Sequence, residues 1–377
     1  MSQRLQRVCV VGTGSFLPND PVPNERIDDV LGRLTGAPKK VQDFVRTVGW
    51  RMLENGGVRL RHFAIDPETH ALTHTIASLS EEAARYALEM AGKKPTDIDL
   101  LLLSSSSYDT TTPPTSTLLQ ERLGIERCAE MEIHSNCSGV GKCMEIAYDA
   151  LRLGRYRTAL VVYSQLSSVY LRSCYFNQTK INKTQATLRY ILADGSGAVL
   201  LEAQKDPGAD EPLPGEVLGT YVESIGGRLK PAMTAGAGVM DIVSGNNPAD
   251  EIYGKGMHHL DQDFFAVNRD AGPFLLQGVE RMLESLGLDP TTLDHFVWSI
   301  PTMQLFDGHI PQIRERLGAR AEQMKFRAAE CGYCGGASIL IHLDDMVRSG
   351  ELQRGQTVVL HSVESSKRMS AGFVMRW

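Results

Sequence analysis

Ala91-Gly92-Lys93-Lys94-Pro95-Thr96-Asp97-Ile98-Asp99 leads into an apolar run ending at Leu103, and Leu286-Gly287-Leu288-Asp289-Pro290-Thr291-Thr292-Leu293-Asp294 leads into a second such run. Gly92 and Gly287, Pro95 and Pro290, and Asp99 and Asp294 each lie 195 positions apart, and Leu123-Gly124 and Leu317-Gly318 lie 194 apart. A similar offset lays the region of Cys137 over Cys331-Gly332. Each copy reads as helix, glycine, turn, buried strand, loop, helix, Leu-Gly, strand, turn. Collinear landmarks in this order argue for a duplicated α/β half, so that the two copies form one pseudo-symmetric architecture.

The elements between the landmarks fit that reading. Apolar residues at helical spacing predict helices over Thr75–Gly92, Thr115–Leu123 and Val140–Leu153. Strands are expected at Arg7–Val11, Met131–Ile133 and Ala159–Tyr163, and Ile191–Glu202 reads as a strand pair bent around Asp194-Gly195-Ser196-Gly197. Alternation of this kind predicts a parallel or mixed sheet with helices on its faces. Asp206–Pro214, with three prolines, reads as a linker between halves spanning residues 1–205 and 206–377. Gly36–Asn55 and Met233–Asp270 stand outside the repeat. They read as irregular stretches that cover or wall a pocket.

Composition narrows the function. The 377 residues carry a net charge of −6, which argues against nucleic acid as a partner. No apolar run approaches a membrane span, and Met1–Gly14 lacks the apolar core of a signal peptide. Seven cysteines in so long a chain do not read as a disulfide framework, so a reducing cytoplasm with free thiols is expected.

The stretch with the most chemistry is Met131-Glu132-Ile133-His134-Ser135-Asn136-Cys137-Ser138-Gly139-Val140-Gly141-Lys142-Cys143. It predicts a strand, a tight turn and a helix, with Cys137 at the turn. There the helix dipole and free N–H groups favour a thiolate and can hold the oxyanion of an attacked thioester. A buried cysteine is also a common small hydrophobe. Read alone, the stretch leaves both roles open.

The landmarks taken together resemble the β-ketoacyl-acyl-carrier-protein synthase III family over nearly the whole chain. They are Val11-Gly12-Thr13-Gly14, Gly57-Val58-Arg59-Leu60-Arg61-His62, Pro113-Pro114, Asn136-Cys137-Ser138-Gly139, Ala193-Asp194-Gly195-Ser196-Gly197-Ala198, Ile300-Pro301, Cys331 to Ser338 and Gly372 to Arg376. The resemblance implies a thiolase fold with duplicated αβα halves in a five-layer αβαβα sandwich. It also implies a homodimer across the sheet containing Ala159–Tyr163, and an acyl group taken onto Cys137 from coenzyme A or the phosphopantetheine of an acyl-carrier protein. No permanently bound cofactor is implied. Condensing members pair the cysteine with a histidine and an asparagine. Thr302 and Met303 stand where the histidine is expected, and Tyr333 stands at the asparagine. Backbone N–H groups of Cys137 and Ser366 are the implied oxyanion hole.

His309 and His134 are the substitute bases to consider. His309 lies seven residues beyond Thr302, roughly 10 Å along a helix, unless Pro311 delays the helix start. Gly12-Thr13-Gly14 lacks the third glycine of a dinucleotide loop. Cys331-x-x-Cys334 has no second ligand pair, so no metal is expected. Arg59, Arg61, Arg152, Arg155 and Arg157 are candidates for coenzyme A phosphates or a carrier-protein surface. Three functions fit: an acyltransferase loading Cys137 in a secondary-metabolite pathway, a decarboxylative synthase joining acyl and malonyl thioesters, or a non-catalytic partner subunit of another ketosynthase.

Overall fold

A computed structural model of the chain describes residues 5–204, 211–242 and 248–377. The strands of the main sheet are β1 (Arg7–Phe16), β2 (Leu100–Ser105), β3 (Ala129–His134), β4 (Thr158–Leu166), β5 (Asp194–Gln204), β6 (Glu216–Ser224), β7 (His295–Trp298), β8 (Thr357–Glu364) and β9 (Met369–Arg376). The main helices are α1 (Ile76–Ala91), α2 (Thr115–Leu123), α3 (Gly139–Arg152), α4 (Phe264–Leu286), α5 (Met303–Leu317) and α6 (Ala337–Arg348). The strands follow the order β7-β8-β9-β6-β1-β5-β4-β2-β3 in one mixed sheet. Its two halves meet at a single pairing, Cys9 with Glu216.

The repeat has a physical basis in helix ends and strand starts. α1 and α4 both close on a left-handed glycine, Gly92 at φ 61° and Gly287 at φ 64°. A short 3₁₀ turn follows each, at Pro95–Asp97 and Pro290–Thr292, and then β2 or β7. Asp99 Oδ2 accepts the backbone N–H of Thr158 at 3.1 Å, and Asp294 Oδ2 accepts that of Thr357 at 2.8 Å. Each aspartate thereby fixes the first residue of the strand beside it, β4 or β8.

Strand β2 shows how the layers form. Leu100 and Leu102 join a central core with Val140, Met144 and Ala147 of α3 and Leu340 of α6, while Leu101 and Leu103 face α1 and α2 on the outer side. Side chains alternate across a strand, so an uninterrupted apolar run fills two cores at once. On the second half, α4 and α5 cover Phe296 of β7 and Val359 of β8 in the corresponding outer core. Helices α3 and α6 pack against strands of both halves. The layers are outer helices, strands, α3 with α6, strands, outer helices: the αβαβα sandwich that the resemblance implied.

Four local expectations are corrected. Residues 194–204 form one continuous strand, with no bend at Gly195 or Gly197. Gly36–Asn55 is not irregular, since residues 39–56 are helical throughout. α5 begins at Met303 and carries Pro311 within it, so Pro311 does not delay its start. Gly12-Thr13-Gly14 lies inside β1, not in a loop. The expected linker Asp206–Pro214 and the boundary at 205/206 fall for the most part outside the described residues.

Candidate active site

Cys137 sits in the turn between β3 and α3, two residues ahead of the first helical position. It borders a cavity of about 1160 Å³. Both stretches outside the repeat wall this cavity: Phe44, Val48 and Met52 from the first, Leu260, Phe264 and Val267 from the second. The sulfur's hydrogen-bond partner among the described residues is the Tyr333 hydroxyl, at 2.9 Å. Ser299 Oγ stands 3.3 Å beyond that hydroxyl and donates to the Gly335 carbonyl at 2.9 Å.

Burial pushes the Cys137 thiol up to about 11, against the hydrogen bond from Tyr333, which lowers it. The Tyr333 hydroxyl and the residue's own N–H favour the thiolate expected at the turn before α3, and burial opposes it. The Tyr333 hydroxyl is itself held well above its ordinary value, chiefly by burial.

The other expected positions scatter. Thr302 caps α5, its hydroxyl accepting the Leu305 N–H at 3.3 Å, and it borders the cavity. Met303 packs against Gly57. His309 also borders the cavity, with its ring against Gly272 of α4. His134 points its ring to the Ser106 carbonyl at 3.2 Å. Neither histidine reaches the sulfur, whose place for a partner is taken by Tyr333. In the turn joining β8 to β9, Ser365 borders the cavity, and Ser366 turns its hydroxyl to Glu364. Arg61 alone of the five arginines borders the cavity; it is buried and donates to Asn24 Oδ1 and the Tyr190 carbonyl. Cys334 is buried with its thiol on the Asp194 carbonyl, and no cluster suited to a metal occurs among the described residues.

Sequence reading missed Glu364. Its Oε2 accepts Ser138 Oγ at 2.6 Å, Ser135 Oγ at 2.8 Å and the Ser138 N–H at 3.3 Å. The one available signal was an acid closing the apolar strand Thr357–Glu364, just before the turn that resemblance set beside Cys137.

Comparison with known proteins agrees with this architecture. Residues 131–212 match the family described as 3-oxoacyl-[acyl-carrier-protein (ACP)] synthase III, and residues 283–374 match its C-terminal counterpart. A beta-ketoacyl-[acyl-carrier-protein] synthase III of Methylococcus capsulatus is 29% identical over 354 residues, 94% of each chain. Among solved structures, the tetronic acid condensing enzyme AbyA1 has a TM-score of 0.76 at 24% identity, covering 98% of this chain and all of its own. The 3-oxoacyl-(acyl carrier protein) synthase III of Pseudomonas aeruginosa has a TM-score of 0.75 at 22% identity, covering 98% of each. The sequence landmarks, the layered duplication and these matches converge: this chain has the thiolase fold and is similar over nearly its whole length to β-ketoacyl-acyl-carrier-protein synthase III.

Proposed function

We propose that the chain is a ketosynthase III-like acyltransferase. Cys137 takes an acyl group from acyl-coenzyme A or an acyl-carrier protein and passes it to an acceptor in a secondary-metabolite pathway, in the cytoplasm and as a homodimer. The observation that carries this reading is Cys137 Sγ on the wall of a large cavity, hydrogen-bonded to the Tyr333 hydroxyl at 2.9 Å. Its volume is about 1160 Å³, above the roughly 300–1,000 Å³ of ordinary ligand pockets, and suits an acyl chain with a pantetheine arm. In acyl transfer the sulfur attacks the thioester carbon, the donor's thiolate leaves and takes up the proton, and Tyr333 holds the Cys137 sulfur by a hydrogen bond throughout. The backbone N–H of Cys137 and those of the turn at Ser365 and Ser366 are the donors proposed for the oxyanion.

Decarboxylative condensation is the second reading, favoured by the names of the relatives. It requires donors for an enolate oxyanion. Thr302 is too short to reach where an imidazole would, Met303 has no proton to donate, and Tyr333 is engaged with the sulfur. Losing one such donor typically costs about 2.7–4 kcal/mol, roughly two to three orders of magnitude in rate.

Intact-protein mass spectrometry with a panel of acyl thioesters separates the readings. The wild-type protein should gain one acyl mass, Cys137→Ala should gain none, and Cys331→Ala should behave as wild type. Labelling that survives in Cys137→Ala would remove the assignment, and a wild-type protein that never labels would favour a silent partner subunit. Labelled malonyl-carrier protein should release little carbon dioxide above the uncatalysed rate; rapid release dependent on Cys137 would establish condensation instead.

A further inference from the structure

Glu364 ends β8 with its side chain 2% exposed, at the wall of the cavity that Cys137 borders. A carboxylate offers about four lone-pair sites. Oε2 takes three donors from Ser135 and Ser138, while Oε1 takes Ser366 Oγ and keeps a second lone pair. Lys142 Nζ stops at Ser135 Oγ, 2.8 Å away, and no ion-pair partner of Glu364 occurs among the described residues. The negative charge therefore stands near the reacting sulfur among neutral donors, and it opposes the Cys137 thiolate.

That charge discriminates among acyl acceptors. A malonyl thioester brings a carboxylate and develops an enolate, and both are repelled. An alcohol develops alkoxide character as it attacks. An amine in water is an ammonium ion, drawn to the carboxylate, and it becomes nucleophilic on giving up one proton. Resting on the reading that Cys137 carries the acyl group, we propose that the acceptor is a primary amine and that Glu364 selects it and takes its proton. The ammonium gives one proton to Glu364 Oε1. The free amine attacks the thioester carbon, the carbon–sulfur bond breaks as the carbon–nitrogen bond forms, and a second nitrogen proton passes to the Cys137 sulfur. Products are an amide, the Cys137 thiol and a protonated Glu364, which returns its proton to water.

The experiment isolates the acyl-enzyme and follows its discharge by intact mass. n-Butylamine and benzylamine are compared with n-butanol, benzyl alcohol and malonyl-carrier protein, in wild type and Glu364→Gln. Amines should discharge the wild-type acyl-enzyme fastest, and Glu364→Gln should still acylate at Cys137 yet discharge to amines at least about 100-fold more slowly, the lower range for a lost general base. Equal amine discharge in the two proteins, or faster discharge to alcohols or malonyl in wild type, would overturn the proposal while leaving the acyl-enzyme reading intact. Failure of wild type to acylate would overturn both. If Glu364→Gln does not fold, Glu364→Asp takes its place: one methylene shorter, its carboxylate draws back from the acceptor, so the acyl mass should still be gained while discharge to amines slows; amine discharge equal to wild type would overturn the proposal.

Discussion

Burial and the Glu364 carboxylate both oppose the Cys137 thiolate, whereas the Tyr333 hydroxyl and the residue's own N–H favour it. Burial is the largest of these, and the thiol lies near 11. Because the thiolate is the reactive form, its fraction grows tenfold per pH unit anywhere below that value. Alkylation of Cys137 by iodoacetamide, read by peptide mapping because Cys174 is exposed and reacts too, should accelerate about tenfold per unit from pH 7 to 9 without levelling. A plateau near neutrality would mean that the helix end outweighs burial. Tyr333→Phe deletes the donor to sulfur, so the thiol should rise further. A neutral hydrogen bond worth about 0.5–1.5 kcal/mol corresponds to a slowing of roughly 2- to 13-fold at fixed pH.

Helix α3 lies between the two halves and carries the Cys137 turn at its front, so its seating sets the position of the proposed nucleophile. A Cβ on Gly141 would stand 2.6 Å from Ala371 Cβ and 2.8 Å from the Ala371 carbonyl carbon and the Gly372 nitrogen. These neighbours are β9 itself rather than the ends of flexible side chains. Gly141→Ala should therefore push α3 away from β9 and cost about 1–3 kcal/mol, the usual range for overpacking, seen as a lower melting temperature and slower acylation. A melting temperature equal to wild type would show that the layer can give. The duplication was legible because its marks are local: glycines closing α1, α2, α4 and α5, and aspartates heading strands. Asp194–Gln204 was misread because Gly195 and Gly197 look like a turn. In the fold they admit α6, where a Cβ on Gly197 would meet Leu340 Cβ at 2.5 Å. The helical cover at 39–56 was missed because Pro38, Gly49, Gly56 and Gly57 break up its pattern. Cys137 could be singled out as a candidate from its own neighbours, but Tyr333 reaches its sulfur across 196 positions and Glu364 reaches the adjacent Ser138 across 226. No local periodicity reports such contacts.

At the scale of the whole molecule the sheet ends on β3. Among the described residues this strand pairs only with β2, and its other edge is unpaired. None of its six residues is fully buried, and Met131 is 38% exposed. Exposed edges invite pairing with another chain unless charges block them. The two acids of β3 do not block this one, since Glu130 accepts Ser116 Oγ and Glu132 accepts the Ser116 N–H at 3.0 Å, so both are tied back to α2. A two-fold dimer in which β3 pairs with its own copy would close the edge and continue the sheet. Light scattering at low concentration should then give twice the chain mass of 41.5 kDa, and amides of Ala129–His134 that do not bond to β2 should exchange slowly. A monomer mass, or fast exchange of those amides, would refute this arrangement. The dimer bears on chemistry because β3 ends at His134, three residues before Cys137. Pairing across β3 would hold that end of the turn still, so dilution below the dissociation constant should slow acylation of Cys137 along with the loss of mass.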